Sequence, residues 1–251
     1  MKKEENVLIA QIDPKSYVSE AYRVLRTNIQ FYNFEKQYKT ILITSSGMGE
    51  GKSTVISNLA VTMAQFGSKV LLLDADFRRP IIYKIFNFSN KKGLTNILVS
   101  GYENYKDFIQ STETDNLDII ASGPIPPNPS ELLGSQSMKN FLETIKNEYD
   151  IVLIDTPPVG TVTDAAVLST ITDGVILLVS SGEISIEAAK RAKESLQKVR
   201  ANIIGVVVNK IKINHDNYYY YNYYSSENDS NEKRKHKPKK KRKDKKNEEN
   251  D

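Results

Sequence analysis

Between Thr40 and Asn209 the chain alternates short, β-branched apolar runs with longer amphipathic stretches, and no other feature constrains its fold as tightly. A strand that is apolar along its whole length is covered on both faces, and crossover helices are what cover them. The runs at 41–44, 70–73, 117–121, 151–154, 175–179 and 203–208 are therefore expected as strands of an α/β fold. In that fold a mostly parallel sheet is covered by helices on both faces. A helix is expected over 185–199, with Ile186, Ala189, Leu196 and Val199 as its apolar stripe. Another is expected over 16–31, where Val18, Leu25 and Ile29 recur on one side and Pro14 and a Ser16 cap mark the start.

The first expected strand runs straight into SSGMGEGKST and then a helix beginning near Lys52. This strand, glycine loop and helix resemble the P-loop, or Walker A motif. Glycines let backbone N–H groups converge on phosphate oxygens, and the helix N-terminus adds its positive dipole end. Gly47, Gly49, Glu50, Gly51, Lys52, Ser53 and Thr54 form the expected nucleotide-binding set. Lys52 reaches the β- and γ-phosphates and the Ser53 hydroxyl ligates Mg2+. Ser46 stands where the general pattern has its first glycine. A Gly-rich turn alone would explain the glycines, but not Gly-Lys-Ser-Thr at a helix start.

With no Cys and only two His, disulfides, thiolate metal sites and a Ser-His-Asp relay are excluded or improbable, which leaves carboxylates, lysine, hydroxyls and backbone. Ligands of an open parallel sheet bind at the carboxyl ends of its strands. Two strand ends there are acidic: LLLDADFRRP supplies Asp74, Asp76 and Arg78, and IVLIDTPP supplies Asp155. Any one such Asp could be a turn former or a cap. Two at one strand end, a third at another and a P-loop before both point instead to Mg2+ held by one or two of these carboxylates together with Ser53 and the phosphates.

The formal charge of +4 is an average over unlike parts. Residues 232–251 hold eleven Lys/Arg against five Asp/Glu, a local +6, so the rest of the chain sums to −2. Six of the fourteen tyrosines, Tyr218, Tyr219, Tyr220, Tyr221, Tyr223 and Tyr224, fall in one run with almost no aliphatic residue around it. The run reads either as a low-complexity tail or as accessible phosphoacceptors. Three parts are expected: an N-terminal segment with an oligomerisation helix at 1–36, a P-loop domain at 37–213 and a disordered tail at 214–251. No apolar run is long enough to span a membrane and the N-terminus does not read as a secretory signal, so a cytoplasmic protein is expected.

Taken together, the Walker A stretch, Asp-x-Asp-x-Arg at 74–78, IDTPP, PPNPSELL at 126–133 and the tyrosine cluster resemble the bacterial tyrosine kinases of capsule and exopolysaccharide operons. The resemblance implies an ATP- and Mg2+-dependent protein-tyrosine kinase that phosphorylates its own tail tyrosines in trans and regulates polysaccharide synthesis. It implies catalytic roles for Lys52, Asp74, Asp76 and Arg78, with Asp74 as base or orienting group, Asp155 as the Walker B aspartate, and Mg2+ managed by Ser53, Asp76 and Asp155. Glu20, Arg23 and Arg26 match the family's Glu-x-x-Arg-x-x-Arg element, which implies a ring-like homo-oligomer. A transmembrane polysaccharide co-polymerase as activator and a cognate phosphotyrosine phosphatase are the implied partners. They place the chain at the inner face of the plasma membrane; from its charge alone, the basic stretch 232–251 is expected to meet anionic lipid or an acidic partner surface. The acidic body argues against nucleic acid as the tail's partner. Asn209 resembles the adenine-contacting Asn of the wider group, a polar strand cap being the other reading. The alternative is an ATPase switch of the partition or division-site type without protein phosphotransfer. Its signature lysine would stand at Gly47.

Overall fold

Every residue of β1 (Thr40–Ser45) is buried, as expected of a β-branched apolar run at the centre of a sheet. The structure, a computed structural model, describes residues 8–33 and 38–212. The other strands are β2 (Val70–Asp74), β3 (Gln110–Ser111), β4 (Leu117–Ile120), β5 (Ile151–Asp155), β6 (Gly174–Ser180) and β7 (Ile203–Asn209). They form one sheet in the order β3-β4-β2-β5-β1-β6-β7. All neighbours pair parallel except β3, a two-residue antiparallel edge on β4 that apolar patterning did not reveal.

Residues alternate between two cores. Ile41 and Ile43 face a layer made by α1 (Ile9–Ile12), α2 (Tyr17–Asn33), α3 (Lys52–Gln65) and α4 (Ile82–Ile85), while Leu42 faces the other side. That side is covered by α5 (Leu94–Ser100), a 3-10 turn at Tyr102–Phe108, α6 (Pro129–Leu133), α7 (Gln136–Ile145), α8 (Asp164–Leu168) and α9 (Ile186–Lys198). Asp74, Asp155 and Asn209 each prove to be the last residue of a strand, one position beyond the apolar run that announced it.

Ser16 does cap α2, its hydroxyl accepting the Ser19 N–H at 3.2 Å. The stripe expected on α9 needs correction. Ala192 and Leu196 are buried against the sheet, whereas Ile186 is 69% exposed and Val199 lies at the helix end, also exposed. Ala192 and Leu196 join the core that Val175 and Leu177 of β6 also line, so the buried face of the helix runs through them and leaves Ile186 outside.

Asp173 sets where β1 begins. One of its carboxylate oxygens accepts the N–H groups of Lys39 and Thr40, at 2.9 and 2.7 Å, and the Thr40 hydroxyl at 2.9 Å. Lys146 Nζ donates to the other oxygen at 3.2 Å. Burial pushes the Asp173 pKa up, but these bonds outweigh it and hold the pKa below the usual carboxylate range. A depressed folded-state pKa contributes stability above the unfolded value and loses it as pH falls through the folded one. Asp173→Ala should therefore lower unfolding free energy at pH 7 by about 1–3 kcal/mol in urea titrations, with the difference shrinking toward pH 3.

Candidate active site

The loop after β1 owes its shape to two left-handed glycines, Gly49 at φ 77° and Gly51 at φ 96°. A Cβ on Gly51 would come 2.5 Å from Asn209 Nδ2, so only glycine fits there. No side chain caps the N-terminus of α3, which leaves its first N–H groups for a ligand. Lys52 is the first helical residue, 7% exposed, and Ser53 and Thr54 complete the first turn. Two expected contacts are redirected. The Gly47 N–H donates to Glu50 Oε1, and the Glu50 side chain is fully buried beneath the loop rather than turned to the ligand. The last strand also grips the loop: Asn209 Nδ2 donates to the Glu50 carbonyl at 2.8 Å, and Lys210 Nζ donates to the Gly49 carbonyl at 2.8 Å and pairs with Glu183 at 2.7 Å.

Strand order brings the acids to this loop. β5 lies between β1 and β2, and Asp74 and Asp155 are register partners at the ends of β2 and β5. Asp155 is buried; its Oδ2 accepts the Ser53 hydroxyl. Its other oxygen, Oδ1, is buried without a hydrogen-bond partner. Burial, with Asp76 adding repulsion, pushes the Asp155 pKa up to about 7 against the pull of Ser53 and Lys52. Asp74 is held well above the usual range by burial and by the charges of Asp155 and Asp76. Its oxygens accept the N–H groups of Asp76 and Ile82, each at 3.2 Å, so it sits behind the cleft wall rather than in it. Asp76 does line the cleft, with Lys52, Gly49, Arg78 and Arg79 around it.

An unpaired buried carboxylate oxygen beside a serine hydroxyl is what a hard cation requires. Two carboxylates, Ser53 and phosphate oxygens suit Mg2+, which keeps several waters and does not need an all-protein cage.

Arg78 shows what sequence reading missed. Its guanidinium forks onto Asp164, Nε to Oδ2 and Nη2 to Oδ1, both at 2.9 Å. Asp164 is completely buried at the start of α8 and also accepts the Ser130 hydroxyl at 2.7 Å. Bidentate geometry fixes an arginine far better than a single contact does. Ser130 lies within the singled-out PPNPSELL stretch, whereas nothing in the sequence marks Asp164. The lining of the cleft, about 390 Å3 in volume, also includes the apolar Pro157, Pro158 and Val162.

Residues 38–213 match the family described as AAA domain. The chain is 43% identical over 212 residues to tyrosine-protein kinase YwqD of Bacillus subtilis, covering 84% of this chain and 89% of that protein. The kinase domain of the Escherichia coli tyrosine kinase ETK superposes with a TM-score of 0.79 at 34% identity, covering 83% of this chain and 81% of the other. The chain belongs to the bacterial tyrosine kinases. The division-site protein MinD of Pyrococcus horikoshii, at 22% identity, a TM-score of 0.59 and coverage of 70% and 72%, shares the fold alone. Kinase relatives thus support the tyrosine-kinase reading better than the ATPase-switch alternative, and nucleotide binding comes with this family's P-loop fold.

The other expected site residues of this tyrosine kinase divide in two. Glu20 and Arg23 pair with each other at 2.5 Å on α2, and Arg26 stacks on the Phe66 ring with its guanidinium 4.0 Å from the centroid. The six tyrosines at 218–224 and the basic stretch 232–251 lie outside the described residues.

The electrostatics at Asp155 can be tested by unfolding. A raised folded-state pKa favours folding below the unfolded value, near 4, and that advantage is lost as pH rises toward 7. Asp155→Asn should therefore raise the thermal midpoint of the nucleotide-free protein at pH 8, with little change at pH 5. It should also abolish the stabilisation that Mg2+ adds to bound nucleotide.

Proposed function

We propose that the chain transfers the γ-phosphoryl group of Mg-ATP to the tail tyrosines Tyr218, Tyr219, Tyr220, Tyr221, Tyr223 and Tyr224 of a neighbouring copy. The observation that carries this reading is the cleft itself. Lys52, Asp76 and Arg78 share its lining with the apolar Pro157, Pro158 and Val162, so one cleft offers both charged groups for phosphate and apolar surface for a phenol ring. A site that only hydrolysed ATP would need space for water, not an apolar surface.

Lys52 and the first N–H groups of α3 hold the phosphates, and Asn209 Oδ1 is left to accept from the adenine amino group. Ser53, Asp76 and Asp155 hold Mg2+, which when bound offsets charge on the β- and γ-oxygens. The tyrosine oxygen forms the new bond to phosphorus as the bond to the β-phosphate oxygen breaks. ADP leaves, and the phenolic proton passes to Asp74. Phenol has a pKa near 10, and a carboxylate made more basic by burial is better matched to it than an ordinary Asp. Asp74 has no exposed surface in the nucleotide-free structure, so this role requires the cleft to open toward it when substrate binds. Asp164 keeps Arg78 spread toward the transferred phosphate.

Transfer between copies needs an assembly, and α2 carries a surface for one. Tyr17, Val24 and Phe31, spaced seven apart on one face, are 53%, 51% and 68% exposed beside Glu20 and Arg23. The assembly is a cyclic homo-oligomer in which one copy's tail meets the next copy's cleft. A transmembrane polysaccharide co-polymerase activates the kinase at the inner face of the plasma membrane, and a cognate phosphatase resets it. Phosphorylation and its reversal regulate capsular or exopolysaccharide synthesis. Among the described residues no helix is long and apolar enough to cross a membrane, so membrane contact falls to that activator and to the basic stretch 232–251, at about 1 kcal/mol per base near anionic lipid.

Incubating the full chain with Mg-ATP and mapping phosphotyrosines by mass spectrometry should find phosphate on the 218–224 run, and none after Lys52→Ala or Asp74→Asn. ATP hydrolysis without phosphotyrosine would overturn the reading in favour of an ATPase switch. Light scattering on size-exclusion fractions should find an oligomer for wild type and smaller species for an Arg23→Ala/Arg26→Ala double variant. A wild type that is monomeric at every concentration would remove the ring.

A further inference from the structure

Glu50 lies between the two left-handed glycines of the phosphate loop, and its side chain points into the protein with no exposed surface. A fully buried carboxylate is costly unless its oxygens are satisfied, and here they are. Oε1 accepts the Ser46 hydroxyl at 2.8 Å and the Gly47 N–H; Oε2 accepts the Ser180 N–H at 2.8 Å. Ser46 and Gly47 begin the loop, and Ser180 ends β6, the strand beside β1. One side chain therefore ties the loop's first residues to the end of the neighbouring strand. The Glu50 main-chain carbonyl is held separately by Asn209, so the residue is fixed from both its ends.

We propose that Glu50 is a positioning residue: its buried carboxylate holds the ligand-free loop in the shape that receives phosphate. The inference rests on the loop being the nucleotide site. It adds that the loop's affinity depends on a group that never touches the nucleotide. A glycine-rich loop without such a tie samples many shapes, and apparent affinity falls in proportion to the fraction that can bind. The carboxylate accepts only, and all three facing groups donate. Glutamine in either flip sets its NH2 against a backbone N–H, that of Ser180 or that of Gly47, so one buried donor loses its partner.

The test compares wild type and Glu50→Gln as full chains. It measures ADP affinity by calorimetry, KM and kcat for ATP, and the unfolding midpoint without nucleotide. Glu50→Gln should weaken ADP binding and raise KM about tenfold, with the loss falling on KM rather than kcat, because an occupied loop presents the same phosphate donors. Ser46→Ala, which removes one hydroxyl donor and leaves the carboxylate in place, should weaken ADP binding about threefold. It stands in if Glu50→Gln fails to fold. ADP affinity unchanged in the folded variants, with wild type binding normally, would overturn the inference alone. So would a fall in unfolding midpoint with KM unaltered, the mark of a purely structural role. A wild type that binds no ADP would overturn the nucleotide-site reading and this inference together.

Discussion

Asp74 and Asp155 stand side by side in register at the ends of neighbouring strands, both without solvent exposure and with Asp76 close by. Burial disfavours the charged form of both groups and neighbouring carboxylates add repulsion, so both titrate above the ordinary range. The rest of the site is arranged around this tension. Lys52 opposes it in part, Ser53 offers one hydroxyl, and one Asp155 oxygen is left with nothing. On the proposed function, a cation held with the phosphates would relieve the tension.

A second kind of order surrounds this centre, and it is made of fully paired groups. Asp164 accepts from Arg78 and Ser130, Glu50 accepts from three donors, and Asp173 accepts from the start of β1. None of these three carboxylates needs to face a ligand. Each fixes something that does: an arginine at the cleft mouth, the loop over the phosphates, and the strand that carries the loop. The division between strained acids at the centre and satisfied acids around it gives the site both a driving force and a fixed geometry.

What could be read in the sequence follows from what is local. Strands buried on both faces betray themselves by composition, and six of seven were legible as apolar runs. The loop glycines, Lys52, Ser53 and the strand-end acids were legible because their spacing along the chain is their spacing in space. Asp164 was invisible because its meaning lies 86 residues away in Arg78. Glu50 was read as a ligand contact because a motif gives position but not side-chain direction, and direction here follows from the torsions of Gly49 and Gly51. β3 escaped because two polar residues on an edge carry no periodicity. The α9 stripe was right at Leu196 but missed Ala192 and wrongly included Ile186 and Val199, which lie at the two ends of the helix where the sheet no longer covers it.

Among the described residues β7 is the outermost strand on its side, paired only with β6 and half open to solvent along its length. Outermost strands are the least expensive part of a sheet to loosen, since one row of hydrogen bonds holds them. Yet Asn209 and the residue after it, Lys210, hold two consecutive carbonyls of the phosphate loop. The rim of the sheet is thus a latch on its centre. A force applied to the chain just beyond Lys210 would act on the nucleotide's seat without crossing the hydrophobic core.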